Sequence, residues 1–463
     1  MKEELFSLHL SIMKKGLSVS LILLLLILLF AAFIRLPTFK LPHDNGDQLF
    51  YLGLAMKLDK FGFSEYTLRR IDIRGNNFIL GLFPTQEQKG NLLKSLDRTG
   101  VHYYDEPLFH RSYGFSYALM FSHRIFAIDK QYLTLNTTGR DEKGRVYSKD
   151  ADKTWFIQFY AAVVPFIFSL LFILTMYLLA KKLFSERIAL ISAFLLSISP
   201  IEILCSQKIW ADTMVSFFVV LTALLFFLAK ERSNLFLCFI AGITSGIAVL
   251  AKQSGGFILI TILIFHLYQH KSELFKINKI QRIIFDRYLL VLILGMLIVT
   301  FHWFYAITKT YGHPLYSPSQ PGIQQQTWWF AALSKRPRFL YLVTIPYLVP
   351  VFALVYFSII AGPFIRGFIN EKKAFLVIWI LTFLGILMFM KTKENRYMLP
   401  AYPAIAMLSA DLLQKIGNFI NSKFKRHFGD IFIIVVLIAC AFWSVPIGLK
   451  HALDNLPLIL KPF

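Results

Sequence analysis

Charge is what this chain has least of. Aspartate, glutamate, lysine and arginine make up 16% of its 463 residues, where soluble domains carry about 25%. Hydrophobic residues make up 56%, and mean hydropathy is +0.58. A soluble globular domain is excluded, and a polytopic membrane protein remains. Cysteine is equally sparse. Cys205, Cys238 and Cys440 fall in or beside apolar runs, at no metal-ligand spacing. They read as small core residues and report no redox compartment. No P-loop and no Gly-x-Gly-x-x-Gly pattern occurs, so a soluble nucleotide donor is unsupported. Acidic residues number 27 against 49 basic ones, a net charge of +22. No basic helix has nucleic-acid spacing, so nucleic acid is rejected as a partner. The excess reads as positive-inside bias and attraction to lipid headgroups.

What the chain has is apolar runs near the length that crosses a bilayer. They cover 17–34, 156–180, 188–204, 213–229, 235–251, 255–268, 288–306, 340–361, 374–390, 397–413 and 431–449. The expectation is an all-α integral membrane protein of about 11 spans. The run 17–34 is too long for a signal-peptide core and precedes no small-residue cleavage site, so it reads as a retained span. With the N-terminus inside, the inner connections carry 20 lysines and arginines and the short outer ones 11. That bias supports a cytoplasmic N-terminus. The expected organisation is a cytoplasmic segment 1–16, a first span 17–34, an extracytoplasmic loop 35–155, a multi-span domain 156–449 and an extracytoplasmic tail 450–463. The protein is placed in the cell (plasma) membrane.

The loop 35–155 is too long and too apolar in patches for a linker. Within it, 48–58 and 113–127 have helical spacing and read as helices lying on the interface. Residues 66–74 alternate weakly, as a short strand would, and 139–153 read as an exposed polar turn.

The ionisable residues near membrane depth gather at one surface. Asp44, Asp47, Asp105, Glu106, Glu202, Lys208, Asp212, Lys252, Lys391, Lys393, Glu394 and Arg396 map to outer span ends or to the first loop, and Asp411 is the exception. A transporter or flippase, the alternative function, places polar features near the midplane and shows internal repeats. Neither is evident. A carboxylate can accept the proton of an attacking hydroxyl. Lysines and arginines can hold a departing phosphate. A lipid-borne donor needs no nucleotide domain. These features together fit group transfer from a lipid-phosphate carrier at the outer surface.

Blander readings stand beside these. Asp47 and Asp44 could each cap the helix 48–58, and position just outside a span favours chemistry for Asp47 and capping for Asp44. Asp105 and Glu106 precede a proline and read as a solvated turn, yet they are the best second acids in this loop. Asp212 reads equally as a helix cap and as a site residue. Lys252 ends an apolar helix, where a cation complements the helix dipole. Arg396 lies on the side the charge rule disfavours, which points to function. His43, His102 and His110 show no tight metal spacing, so no metal site is assigned. Trp328 and Trp329 read as an aromatic belt.

The segment Asp47-Gln48-x-x-Tyr51-x-x-x-Ala55 resembles the Asp-Glu-x-x-Tyr-x-x-x-Ala motif of the GT-C glycosyltransferases. Their nearest branch holds the protein O-mannosyltransferases and the aminoarabinose transferase of lipid A. Four further segments resemble family motifs in the same order: His110-Arg111-Ser-Tyr-Gly-Phe, Lys208-Ile-Trp-Ala-Asp212, Gly242 through Gly246 to Lys252, and Arg396-Tyr397-Met-Leu-Pro400-Ala-Tyr-Pro403. Together they span roughly residues 40 to 410. The resemblance implies a GT-C fold and an inverting hexosyl- or pentosyltransferase of the cell envelope. Its donor would be a polyprenyl-phosphate-linked sugar and its acceptor a hydroxyl or phosphate of a lipid, glycan or protein at the outer face. Asp47 would activate the acceptor, with Asp105 or Glu106 as a second acid. Lys252, Arg396, Lys391 and Lys208 would hold the lipid phosphate. Asp44, Gln48, Tyr51, His110, Arg111, Asp212 and Tyr397 would line the substrate site. No cofactor is required, although Gln48 in place of the usual Glu leaves open a missing second carboxylate or divalent-cation ligand. Ser112-Tyr113 in place of Pro-Pro puts the shape of the second motif in doubt.

Overall fold

A computed structural model describes residues 19–39, 46–64, 66–69, 107–109, 112–126, 138–140, 146–148, 151–273, 285–312, 340–365, 369–389, 394–424 and 427–454, with 276, 281, 283 and 314. The helices are α1 (Val19–Phe39), α2 (Gly46–Phe61), α3 (Gly114–Ile125), α4 (Ala151–Leu183), α5 (Glu186–Ser197), α6 (Pro200–Gln207), α7 (Asp212–Glu231) and α8 (Leu235–Ala251). They continue as α9 (Phe257–Gln269), α10 (Arg287–Tyr311), α11 (Leu340–Leu348), α12 (Leu354–Ile360), α13 (Glu371–Phe389), α14 (Tyr402–Lys423) and α15 (Phe428–Asp454).

Among the described residues the apolar runs fall on helical segments, and six single helices are long and apolar enough to cross a membrane. Helices α5 and α6 pass the same test only as a pair, bent by 61° at the break between them. Pro200 opens α6, and its missing N–H breaks the ladder there. The run 340–361 is divided likewise. Pro350 begins a short 3-10 turn between α11 and α12.

Ion pairs show which helix ends lie together. Asp212 meets Lys252 and Arg396 at one end, while Lys182 meets Glu231 and Arg187 meets Asp430 at the other. Asp411, the acid away from the first group, pairs with Lys373 at 2.7 Å. Helix α8 packs closely on α10. A Cβ added at Gly242 would strike the Leu292 carbonyl, and one at Gly295 would strike that of Phe239. Small residues let backbones approach without a side chain between them. The glycine spacing that precedes Lys252 therefore serves this crossing, which fixes the helix ending at Lys252.

The first loop differs from expectation in one respect. The helix over 48–58 is more enclosed than its expected place on an interface suggests: every residue from Tyr51 to Lys57 is buried. It is covered by α3 on one side, where Tyr51 meets the Phe115 ring edge-on at 5.1 Å and Ser116 Oγ donates to the Tyr51 carbonyl at 3.0 Å. Helix α3 does keep an exposed apolar edge at Phe121 and Ile125. The strand expected over 66–74 is Leu68–Arg69, antiparallel to Pro107–Leu108. Within 139–153, Thr138–Arg140 pairs with Val146–Ser148, and α4 begins at Ala151, earlier than the apolar run itself. The three cysteines are buried.

Candidate active site

The site is built where the break between α5 and α6 meets the exit of α1. At the break the Ser197 carbonyl loses its helical partner. Arg35 donates to it at 3.1 Å and to the Ala31 carbonyl at 2.5 Å. The same guanidinium pairs with Glu202, and both side chains are fully buried. Ser169 also donates to Glu202. Gln207 Nε2 donates back to the Arg35 carbonyl at 3.5 Å. This network fixes the end of α1 against α6, ahead of the acidic motif.

A four-residue connection, 208–211, then leads to α7. The Trp210 N–H donates to the Lys208 carbonyl at 2.6 Å. The Ile209 N–H donates to Gln48 Oε1 at 3.4 Å, so the start of α2 rests on this connection. Asp47 is the second residue of α2, adjacent to the residue that makes the contact. Gln48 is buried. The amide that replaces the family's Glu acts as a strap between two segments. A carboxylate there would also accept the bond, and would bury a charge.

Asp212 is the first residue of α7. It does not cap the helix: Ala211 occupies that position without a side-chain hydrogen bond. The carboxylate instead bridges two cations, with Oδ1 2.6 Å from Lys252 Nζ and Oδ2 3.9 Å from Arg396 Nη1. Lys252 follows the last residue of α8 with an extended backbone. Its ammonium stands 4.4 Å from the Tyr397 ring centre. Arg396 stacks over Trp210 at 3.9 Å and donates to Glu394 Oε2 at 2.5 Å. Tyr397 Oη donates to Glu394 Oε1 at 3.4 Å.

Lys208 is the exception among the cations. It is 2% exposed and its ammonium has no ion-pair partner among the described residues. Burial pushes it down to about 8. Among the described residues, Lys252 and Arg396 face Asp212, and Arg396 also faces Glu394.

Helix α3 closes the site from the first loop. A Cβ on Gly114 would sit 2.7 Å from the Leu250 carbonyl carbon and 2.9 Å from Ala251 N. The second motif therefore rests its glycine on the backbone just before Lys252. Beside it, Tyr113 hydrogen-bonds His302 and packs on Trp303 at 5.4 Å. Burial, with the nearby Tyr117 and Tyr66, holds the Tyr113 phenol well above its usual range.

Of the sequence candidates, the structure brings together Asp212, Lys252, Arg396 and Tyr397, while Lys208 opens the connection 208–211 on which Gln48 rests. It places Tyr51 in the core between α2 and α3. Asp44, Asp105, Glu106, His110, Arg111, Lys391, Lys393, His43, His102, Trp328 and Trp329 lie outside the described residues, as does the Asp47 side chain. Sequence reasoning passed over Trp210, which lies inside the Lys208–Asp212 motif, and the role of Glu394, two residues before Arg396. It also missed Arg35, for which no local pattern signals a partner on α6. Among the described residues no three His, Cys, Asp or Glu side chains converge as metal ligands would.

The fold is similar to those of two solved membrane proteins. It superposes on ArnT from Cupriavidus metallidurans bound to undecaprenyl phosphate with a TM-score of 0.57, at 12% identity, covering 93% of this chain and 76% of that one. It also superposes on the Archaeoglobus fulgidus oligosaccharyltransferase AglB, solved with an inhibitory peptide and a dolichol-phosphate. That TM-score is 0.56 at 16% identity, over 93% of this chain and 56% of AglB. Residues 140–313 match the family model described as dolichyl-phosphate-mannose-protein mannosyltransferase. An uncharacterized protein of Aquifex aeolicus is 27% identical over 300 residues, or 62% of this chain. The chain spans 55% of that relative's length.

Proposed function

We propose that the protein is an inverting glycosyltransferase that moves a sugar from a polyprenyl-phosphate carrier to an acceptor hydroxyl. The observation that carries this reading is the pair of cations Lys252 and Arg396 gathered on Asp212, next to the connection that contacts Gln48 at the start of α2. Solved proteins of the same fold, ArnT and AglB, hold undecaprenyl phosphate and dolichol-phosphate, which supports a lipid phosphate as the anion.

The acceptor oxygen attacks the anomeric carbon as the Asp47 carboxylate takes its proton. The bond from that carbon to the phosphate oxygen breaks, and the lipid phosphate leaves with the electron pair. Lys208, on the connection that leads to Asp212, is assigned as a third cation for the developing charge. Lys252 and Arg396 meet it while held in place by Asp212. One displacement gives inversion. The chain's own cations supply the charge stabilisation, so the step as written needs no metal. The acceptor is a lipid, glycan or protein hydroxyl on the extracytoplasmic side of the cell membrane, and the N-terminus is cytoplasmic.

The test uses the full chain in liposomes with a labelled polyprenyl-phosphate sugar. The expected result is label in an acceptor, equimolar free lipid phosphate, and a product of inverted anomeric configuration. Movement of the intact donor across the bilayer with no lipid phosphate released would identify a flippase instead.

A further inference from the structure

At the far end of the helices from Asp212 lies a second chemical site. Asp212 begins α7 and Glu231 ends it, a separation of about 28 Å along the helix. There the ends of α4, α7 and α9 and the start of α13 line a half-open cavity of about 570 Å³. That is headgroup size, within the range of roughly 300–1,000 Å³ for small-molecule sites. Lys182, Lys230 and Lys372 reach it from three different helices, and Phe226, Phe227 and Phe265 form its apolar wall.

The charges in this cavity are of both signs. Glu231 is taken up by Lys182. Lys230 is only loosely matched, with Asp286 3.7 Å away, and stands over the Tyr288 ring at 4.5 Å. Lys372 makes no ion pair among the described residues. On the neighbouring position Glu371 accepts only a 3.5 Å bond from Gln269 Nε2. The cavity therefore offers two loosely engaged ammonium groups and one loosely engaged carboxylate, beside phenyl rings. Lysines at helix C-termini also complement the dipoles there, which accounts for Lys182 and Lys230. It does not account for Lys372, in the first turn of α13, or for the convergence of all three, with an acid, on a common volume.

We propose that this cavity binds the headgroup of a phospholipid carrying both a phosphate and a primary ammonium. Lys230 and Lys372 take the phosphate. Glu371 takes the ammonium, with the phenyl wall providing cation–π contact. The cavity lies at the ends of apolar helices, where the headgroup layer of a bilayer meets the protein. A lipid reaches it sideways, and its acyl chains lie along the helix surface.

The experiment is native mass spectrometry of the full chain from detergent, titrated separately with phosphatidylethanolamine, phosphatidylglycerol and phosphatidylcholine. The wild type is expected to retain phosphatidylethanolamine at least fivefold better than either other lipid. Lys230→Gln/Lys372→Gln lowers retention of phosphatidylethanolamine and phosphatidylglycerol alike. Glu371→Gln removes the preference for the primary ammonium and spares phosphatidylglycerol. The melting temperature of each variant, measured in the same detergent, must match wild type. Equal retention by wild type and the double lysine variant overturns the proposal, as does a wild-type preference for phosphatidylglycerol. Displacement of the lipid by millimolar soluble phosphoethanolamine overturns the membrane source and assigns a diffusible ligand. None of these variants touches the transfer site, so sugar transfer in vitro is expected to be unchanged.

Discussion

Lys252 Nζ lies 2.6 Å from Asp212 Oδ1, joining the end of α8 to the start of α7. The same carboxylate reaches Arg396, so one acid holds two cations. An anion arriving between them finds both already oriented and loses little entropy in ordering them. Removing the acid takes away the one group that touches both cations, although Arg396 keeps Glu394 and Trp210 and Lys252 keeps the Tyr397 ring. Asp212→Asn is expected to lower kcat/KM for the donor by tenfold or more. In a double-mutant cycle with Lys252→Met, the coupling should fall in the range of about 0.5–3 kcal/mol. Additive effects in that cycle would mean the pair does not act together.

Lys208 gives the site a pH dependence. Burial depresses it to about 8, so the empty site holds the ammonium below that pH and loses it above. Donor affinity should therefore be constant at lower pH. It should weaken as pH rises through about 8, at most roughly tenfold per unit for a single proton. Lys208→Arg, whose guanidinium does not titrate there, should flatten the profile. The readout is donor KM across pH 6–10, and an unchanged profile in the variant would place the titration on another group.

Gly114 tests the docking of the first loop. Its missing Cβ leaves room for the Leu250 and Ala251 backbone, and backbone cannot move aside as a side-chain tip can. Gly114→Ala should lower transfer at least tenfold with little change in helical content. Gly385 has nothing within 4 Å of an added Cβ, so Gly385→Ala is the matched control and should leave transfer intact.

The buried Arg35–Glu202 pair has a stability signature. Breaking a buried pair on one side strands a charge, at a cost of about 3–5 kcal/mol. Glu202→Gln should show a loss of that order in denaturant titration of the detergent-solubilised chain. Arg35→Met/Glu202→Leu, which removes both charges, should recover most of it. A double variant as unstable as the single one would mean that the pair's hydrogen bonds to Ser197 and Ser169 dominate.

The helical runs were legible because an apolar stretch of bilayer length has few other destinies. Lys208, Asp212, Lys252 and Arg396 were legible from ordered motifs with charges at one surface. What Asp212 does was not. An acid at a helix start reads the same whether it caps the backbone or bridges two side chains from distant segments. The burial of α2 was hidden for a related reason. Its polar residues look solvent-facing in sequence, but Gln48 and Lys57 spend their polarity on the Ile209 amide and the Thr67 carbonyl. Arg35 and Glu202 find each other only because Pro200 bends a span and frees a carbonyl. That encounter has no local signature.

The most direct measurement compares wild type with Asp47→Asn in two assays on the same liposomes, binding of the labelled lipid-linked sugar and release of lipid phosphate. If Asp47 is the base beside the cation group, the variant binds donor within threefold of wild type and turns over at least a thousandfold more slowly, an effect of about 4 kcal/mol on the barrier. Turnover near the wild-type rate, with donor still bound, would contradict that assignment.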